Sequence, residues 1–186
     1  IESGGVVVFP TDSSYAIGCQ LEDKAALGRI TTIRGFDGPH HFTLICRDLS
    51  QLGTYAKVDN TVFRLLRRHT PGPYTFILTA TREVPRRLQH PKRKTVGLRV
   101  PDNAIVNALL SAHGAPLMSC TLHLPDEDVL VEPELIKEQL HHRVDLIVDG
   151  GNCGPEPTTV VDLTDGTPMV TRIGRGEVGD WPIANH

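Results

Sequence analysis

The chain of 186 residues has no apolar run long enough to cross a membrane as a helix, so no membrane partner is expected. It also lacks low-complexity tracts, internal repeats and linker-like stretches, and at 20.4 kDa it suits one compact domain over residues 1–186. Hydrophobic residues at 39% and charged residues at 22% are enough to build a core, which excludes a disordered or fibrous chain. Cysteine is scarce and scattered: Cys19, Cys46, Cys120 and Cys153 form no close pair that could clamp zinc or exchange disulfides. That usage predicts a reducing, cytoplasmic location. Cys120 and His123 have the spacing of half a metal site, but no second half stands out, and Cys120 ends an apolar run and reads as packing. No protein-held metal is expected. The glycine loop of the nucleotide triphosphatases, the Gly-x-Ser-x-Gly elbow, His-Glu-x-x-His and the dinucleotide fingerprint are all missing. The chain opens on Ile1 rather than Met and a strand-like run begins at once, so loss of the natural N-terminus is expected.

What the chain does have is an uneven distribution of charge. The net charge is −3, yet residues 64–99 carry ten Lys/Arg against Glu83 alone, while residues 100–186 carry four basic and fourteen acidic residues. A mid-chain excess of this size produces a local field that attracts polyanions. Equally, acids folded nearby could balance it.

The pattern of elements is mixed. Gly5–Phe9 is continuously apolar and β-branched, as a strand buried on both faces would be. Further strands are predicted over 15–18, 42–46, 74–78, 96–100, 116–120, 145–149, 159–163 and 168–172. Helices are predicted to follow Glu22 and Asp23, whose acids favour the first turn, to follow Asp59 up to Pro71, to follow Asp102 up to Gly114, and to span 133–143. Strands alternate with helices and then cluster. That order predicts an α/β chain of the α+β type: one twisted mixed sheet with flanking helices.

Hydroxyl and guanidinium groups fall at the ends of the predicted strands, where open sheets bind ligands. They are Thr11, Ser13 and Ser14 after the first strand, Arg99, then Ser119 and Thr121, then Thr158 and Thr159, and Arg172. Guanidinium forks match phosphate oxygens and hydroxyls complete such a shell.

Several of these residues lie in motifs. Pro10-Thr-Asp-Ser-Ser-Tyr-Ala-Ile-Gly18 resembles the Pro-Thr-Glu-Thr-x-Tyr-Gly-Leu-Gly segment of the YrdC-like family, the threonylcarbamoyl-adenylate synthases of tRNA modification. Thr70-Pro-Gly-Pro73 with Thr75, Thr95-Val-Gly-Leu-Arg-Val-Pro101, Asp149-Gly-Gly151, Thr158-Thr-Val160 and Arg172-Ile-Gly174 resemble later family elements, in the same order. Phe42-Thr-Leu, Cys46-Arg-Asp-Leu49 and Val84-Pro-Arg-Arg87 bring the resemblance closest to the YciO branch. It covers nearly the whole chain.

The resemblance implies a concave basic cleft over a twisted sheet that binds ATP, threonine and double-stranded RNA or tRNA. It implies a reaction joining threonine, bicarbonate and ATP into threonylcarbamoyl-AMP with release of pyrophosphate, magnesium accompanying the nucleotide. Carried over by position, Ser13, Arg47, Arg99 and Thr158 would hold threonine, Thr95, Ser119 and Arg172 would face ATP, and Thr11 and Thr121 would lie beside them. Arg34 stands where the synthases keep a catalytic lysine. The family's Lys-x-Arg is here Arg34-Gly35-Phe36, and its Ser-x-Asn is Ser119-Cys120-Thr121. Arginine spreads its charge over a wide plane and does not substitute simply for lysine. Three readings follow: a synthase, slow or altered in substrate; a module that binds RNA through Arg86, Arg87, Lys92, Arg93 and Lys94 without the chemistry; and a scaffold whose basic loop is merely solvated.

Overall fold

The computed structural model describes residues 1–37 and 40–185; of the expected domain, Gly38, Pro39 and His186 lie outside the described residues. The elements run β1 (Val7–Phe9), β2 (Ala16–Gln20), α1 (Lys24–Arg34), β3 (Thr43–Ile45), α2 (Leu49–Tyr55), α3 (Asn60–His69), β4 (Tyr74–Thr79), β5 (Thr95–Arg99), α4 (Ala104–His113), β6 (Leu117–Thr121), α5 (Pro133–Leu140), β7 (Leu146–Ile147), β8 (Thr159–Asp162) and β9 (Met169–Arg172). All the strands join one sheet in the order β7-β1-β2-β6-β3-β5-β4-β8-β9. Parallel pairs (β1·β7, β3·β5, β4·β8) mix with antiparallel ones, as the clustering of late strands predicts.

The caps follow local chemistry, with two departures from the sequence reading. Asp23, Asp48 and Asp59 each accept a backbone N–H of the first turn of α1, α2 and α3. Asp23 is therefore a cap rather than a first-turn acid, and the first turn of α1 holds none. On α4 the cap is Asn103, whose Oδ1 accepts from Ile105 and Val106, and not Asp102. The reason is long-range: the Asp102 N–H donates to Asp12 Oδ2 at 2.8 Å, so residue 102 is held outside the helix. Helix α2, only seven residues long, was not anticipated, and α5 stops at Leu140, short of residue 143.

Pleating divides the strand residues between two faces. Val8, Ile17, Leu44, Phe76, Leu98, Met118 and Val161 enter the larger core, which also takes Ile30, Leu52, Leu66 and Ile136 from the helices. The opposite face is only half covered. There α4 places Val106 and Leu110, both 0% exposed, over Val7, Phe9, Ala16, Ile45 and Leu117. Burying side chains of that size contributes about 1.5–3 kcal/mol each. Beyond α4 the same face continues as Ser119 and Thr121 on β6, Thr43 on β3, Thr95, Gly97 and Arg99 on β5, Thr75 on β4 and Asp162 on β8. Cross-strand register aligns Thr43 with both Gly97 and Ser119, and Ile77 with both Gly97 and Asp162. This uncovered, hydroxyl-rich half of the sheet is the floor of a cleft.

Candidate active site

The cleft has a volume of about 790 Å³, sized for a nucleotide together with a small co-substrate. Arg34, Thr95, Arg99, Ser119, Thr121, Thr158 and Arg172, singled out from five separate stretches of sequence, all line it. Gly97 leaves backbone bare at its centre: a Cβ there would meet Thr75 Cγ2 at 3.2 Å and Thr43 Oγ1 at 3.4 Å.

Arg99 is the most deeply set of the cations, 7% exposed. Its Nη2 donates to Asp12 Oδ1 at 2.5 Å and to Ser13 Oγ at 3.3 Å, while its Nε is buried without a partner among the described residues. Burial pulls the guanidinium pKa below its ordinary value, and Asp12 opposes the shift. Thr11 does not line the cleft but braces it from behind, donating to Ser14 O at 2.6 Å and bonding Ser13 Oγ at 3.1 Å. Arg172 approaches from β9, donating through Nε and Nη2 to Thr158 O and through Nη2 to Thr158 Oγ1, which in turn bonds Thr75 Oγ1 at 2.8 Å. Burial lowers its pKa as well.

At the other end, Arg34 leaves the last turn of α1, where Gly35 adopts a left-handed conformation (φ 66°) and closes the helix. The Arg34 Cζ lies 4.7 Å over the Phe36 ring, which stacks on His40 at 3.7 Å. Its Nε is also buried without a partner among the described residues. Burial and then Arg34 and His41 push His40 down to about 4, so His40 is neutral at physiological pH. Burial raises the adjacent Cys120 thiol to about 11 against the pull of Arg34, so no thiolate nucleophile stands there.

Several site residues were not legible in the sequence. Asp12 partners Arg99; Thr75 partners Thr158; and His40, His41, His90 and His123 line the mouth, with His41 and His90 stacked at 5.0 Å. For Asp12 and Thr75 there was a signal, since both lie in motifs that resemble the family's and the one around Asp12 also carries a carboxylate at that place. Arg47, conversely, does not line the cleft: its Nε pairs with Asp48, the α2 cap, at 3.1 Å.

The basic loop divides. Arg93 Nη2 reaches Asp162 at 2.7 Å and Thr164 at 2.9 Å, making the loop a wall of the cleft. Arg87 donates to Leu21 O and faces Glu22 at 3.8 Å. Arg86, Lys92 and Lys94 are exposed and have no acidic partner within ion-pair distance among the described residues. Acids from elsewhere in the chain thus offset part of the mid-chain charge, as one of the two charge readings anticipated.

A family model for Sua5, YciO and YrdC proteins, described as telomere recombination, matches residues 1–174. The chain belongs to the Sua5/YciO/YrdC family. Escherichia coli YciO is 56% identical over 179 residues, covering 96% of this chain and 87% of its relative. Its crystal structure matches with a TM-score of 0.91 over the same shares of the two chains. A threonylcarbamoyl-AMP synthase of Vibrio vulnificus is 29% identical over 153 residues, 81% of this chain and 82% of that protein. Pyrococcus abyssi Sua5 complexed with L-threonine matches with a TM-score of 0.89 at 26% identity, covering 99% of this chain and 56% of that one. The departures from the expected motifs lie in the same cleft: Arg34 and Thr121 both line it, and Phe36 lies beneath Arg34. Among the described residues no helix is long and apolar enough to cross a membrane.

Proposed function

We propose that this protein is a nucleotide-dependent synthase of the threonylcarbamoyl-AMP type, acting in tRNA modification, with a reaction centre altered from that of the other synthases. The observation that carries the reading is the convergence of Arg34, Arg99, Ser119, Thr158 and Arg172 on one cleft of nucleotide size. In the reaction, the threonine amine takes up bicarbonate with loss of water, and an oxygen of the resulting carbamate attacks the α-phosphorus of ATP. The P–O bond to the β-phosphate breaks and pyrophosphate leaves. This chemistry needs fixed positive groups where phosphate charge develops rather than a nucleophilic side chain, and the cleft has guanidiniums at both ends. Arg34 acts at the reacting phosphate, Arg172 with Thr95 and Ser119 binds the nucleotide, and Arg99 with Ser13 and Thr158 holds the threonine. Thr121 completes the Arg34 end.

Magnesium fits this scheme only as a companion of ATP. Among the described residues no three His, Cys, Asp or Glu side chains gather to hold a metal, and the cleft's Asp162 is tied to Arg93. The ion would therefore be held by phosphate oxygens and would offset their charge.

The test is pyrophosphate release by the purified protein given ATP, bicarbonate and L-threonine. Release should exceed the level without threonine severalfold. Equal rates with and without threonine would count against the synthase reading.

A second reading, in which the loop binds an RNA duplex, is favoured by the exposure of Arg86, Lys92 and Lys94. Affinity for a short RNA duplex should then fall linearly on a log–log salt plot, with roughly one unit of slope per neutralised phosphate. Replacing these three residues by glutamine should flatten the slope by about two to three units; an unchanged slope removes the loop from the interface. Arg87 and Arg93 are unsuitable for this test because their forks hold Leu21 and Asp162.

A further inference from the structure

Two of the cleft arginines, Arg34 and Arg172, have no carboxylate partner within ion-pair distance among the described residues, whereas Arg99 has one that is almost completely buried. Asp12 and Arg99 have side chains 9% and 8% exposed, 2.5 Å apart. Both oxygens of Asp12 are in use, Oδ1 on Arg99 and Oδ2 on the backbone N–H of Asp102. The carboxylate is thus fixed at both oxygens by the single stretch from Arg99 to Asp102, and it fixes Arg99 in turn. The Nε of Arg99 remains a buried donor without a partner.

We propose that Asp12 is a positioning and specificity-determining residue that makes the Arg99 end of the cleft select a singly charged carboxylate over a phosphate. The proposal rests on the synthase reading for the identity of the carboxylate, that of the amino acid. Its physical basis does not depend on that reading. An isolated guanidinium attracts an anion in proportion to the anion's charge. A guanidinium neutralised by a carboxylate beside it offers hydrogen-bond donors with little net field, and the same carboxylate repels a multiply charged phosphate more strongly than a carboxylate. The uncompensated Arg34 and Arg172 attract phosphate. Two substrates of different charge are in this way sorted within one cleft, the carboxylate to the compensated Arg99 and phosphate to Arg34 and to Arg172, which meets the Arg99 end at Thr158.

The experiment is calorimetric titration of wild type, Asp12→Asn and Asp12→Glu with L-threonine and, separately, inorganic pyrophosphate, alongside steady-state rates. In Asp12→Asn, threonine affinity should fall about tenfold or more while pyrophosphate binds severalfold tighter, and Asp12→Glu should largely restore the wild-type order. A merely structural role predicts that both affinities weaken together, and that result, or no change in either, overturns the proposal. If Asp12→Asn does not fold, phenylglyoxal labelling of Arg99 in the wild type, mapped by peptide mass spectrometry, decides the matter. Protection by threonine and not by pyrophosphate supports the proposal, and protection by pyrophosphate overturns it. A wild type that binds threonine with the expected selectivity yet releases no pyrophosphate overturns the synthase reading and leaves the role of Asp12 standing.

Discussion

Replacing Arg99 by alanine is expected to abolish threonine-dependent pyrophosphate release, with a loss of at least about 100-fold, the scale set by deleting one preorganised charged donor from a water-poor site. Part of any loss will come from stability. Alanine leaves Asp12 buried and unpaired, which costs about 3–5 kcal/mol, or roughly 6–20 °C in Tm for a chain of this size. A second substitution separates the two effects. Arg99→Ala combined with Asp12→Asn removes the stranded charge, so the double variant should regain most of the Tm lost in the single variant and none of the activity. Thermal unfolding followed by circular dichroism, with rates measured well below the lower Tm, distinguishes the outcomes. If the double variant recovers threonine-dependent turnover, Arg99 has no direct part in the site.

The Asp12–Arg99 pair also shows where sequence reasoning reached and where it stopped. Strand positions were legible because β-branched runs and flanking Pro and Gly mark them locally, and the ligand-bearing ends followed from where those strands stop. Arg99, Ser119, Thr158 and Arg172 were found that way, and register then brings them onto one face. Partners across the fold were not legible. Arg93 and Asp162 are 69 residues apart, and only the approach of the loop to β8 joins them. Before that pairing is known, Arg93 looks identical to the exposed Lys92. The same limit explains the Asn103 cap: Asp102 is as good a cap by propensity, but its backbone N–H is taken by Asp12, 90 residues away. Arg47, suggested only by the family resemblance, lies outside the cleft lining. A seven-residue helix gives little periodic signal, so its Asp48 cap, and the pairing of Arg47 with it, went unseen.

The part of the cleft around Arg34 bears on how fast the proposed synthase would turn over. The family resemblance implies a lysine and an arginine where Arg34 and Phe36 stand. Here one cation is missing and the other sits over an aromatic ring, 4.7 Å from its centroid, with that ring itself stacked on a neutral His40. Cation–π contact of this kind contributes about 0.5–2 kcal/mol, and all of it favours the resting position of the guanidinium. An ammonium on a four-carbon stem can follow charge as it moves from the α- to the β-phosphate, whereas a planar fork held over a ring must first leave it. Combining Arg34→Lys with Phe36→Arg, and with Thr121→Asn to complete the family pattern, should raise threonine-dependent pyrophosphate release about tenfold or more. The KM for threonine should change little, because none of these three substitutions removes Arg99 or its partner Asp12. Arg34→Ala in the wild type should do the reverse, lowering the rate while threonine binding persists. If the restored motif gives no faster turnover, the Arg34 end does not limit the chemistry, and the exposed basic loop becomes the better guide to what this protein binds.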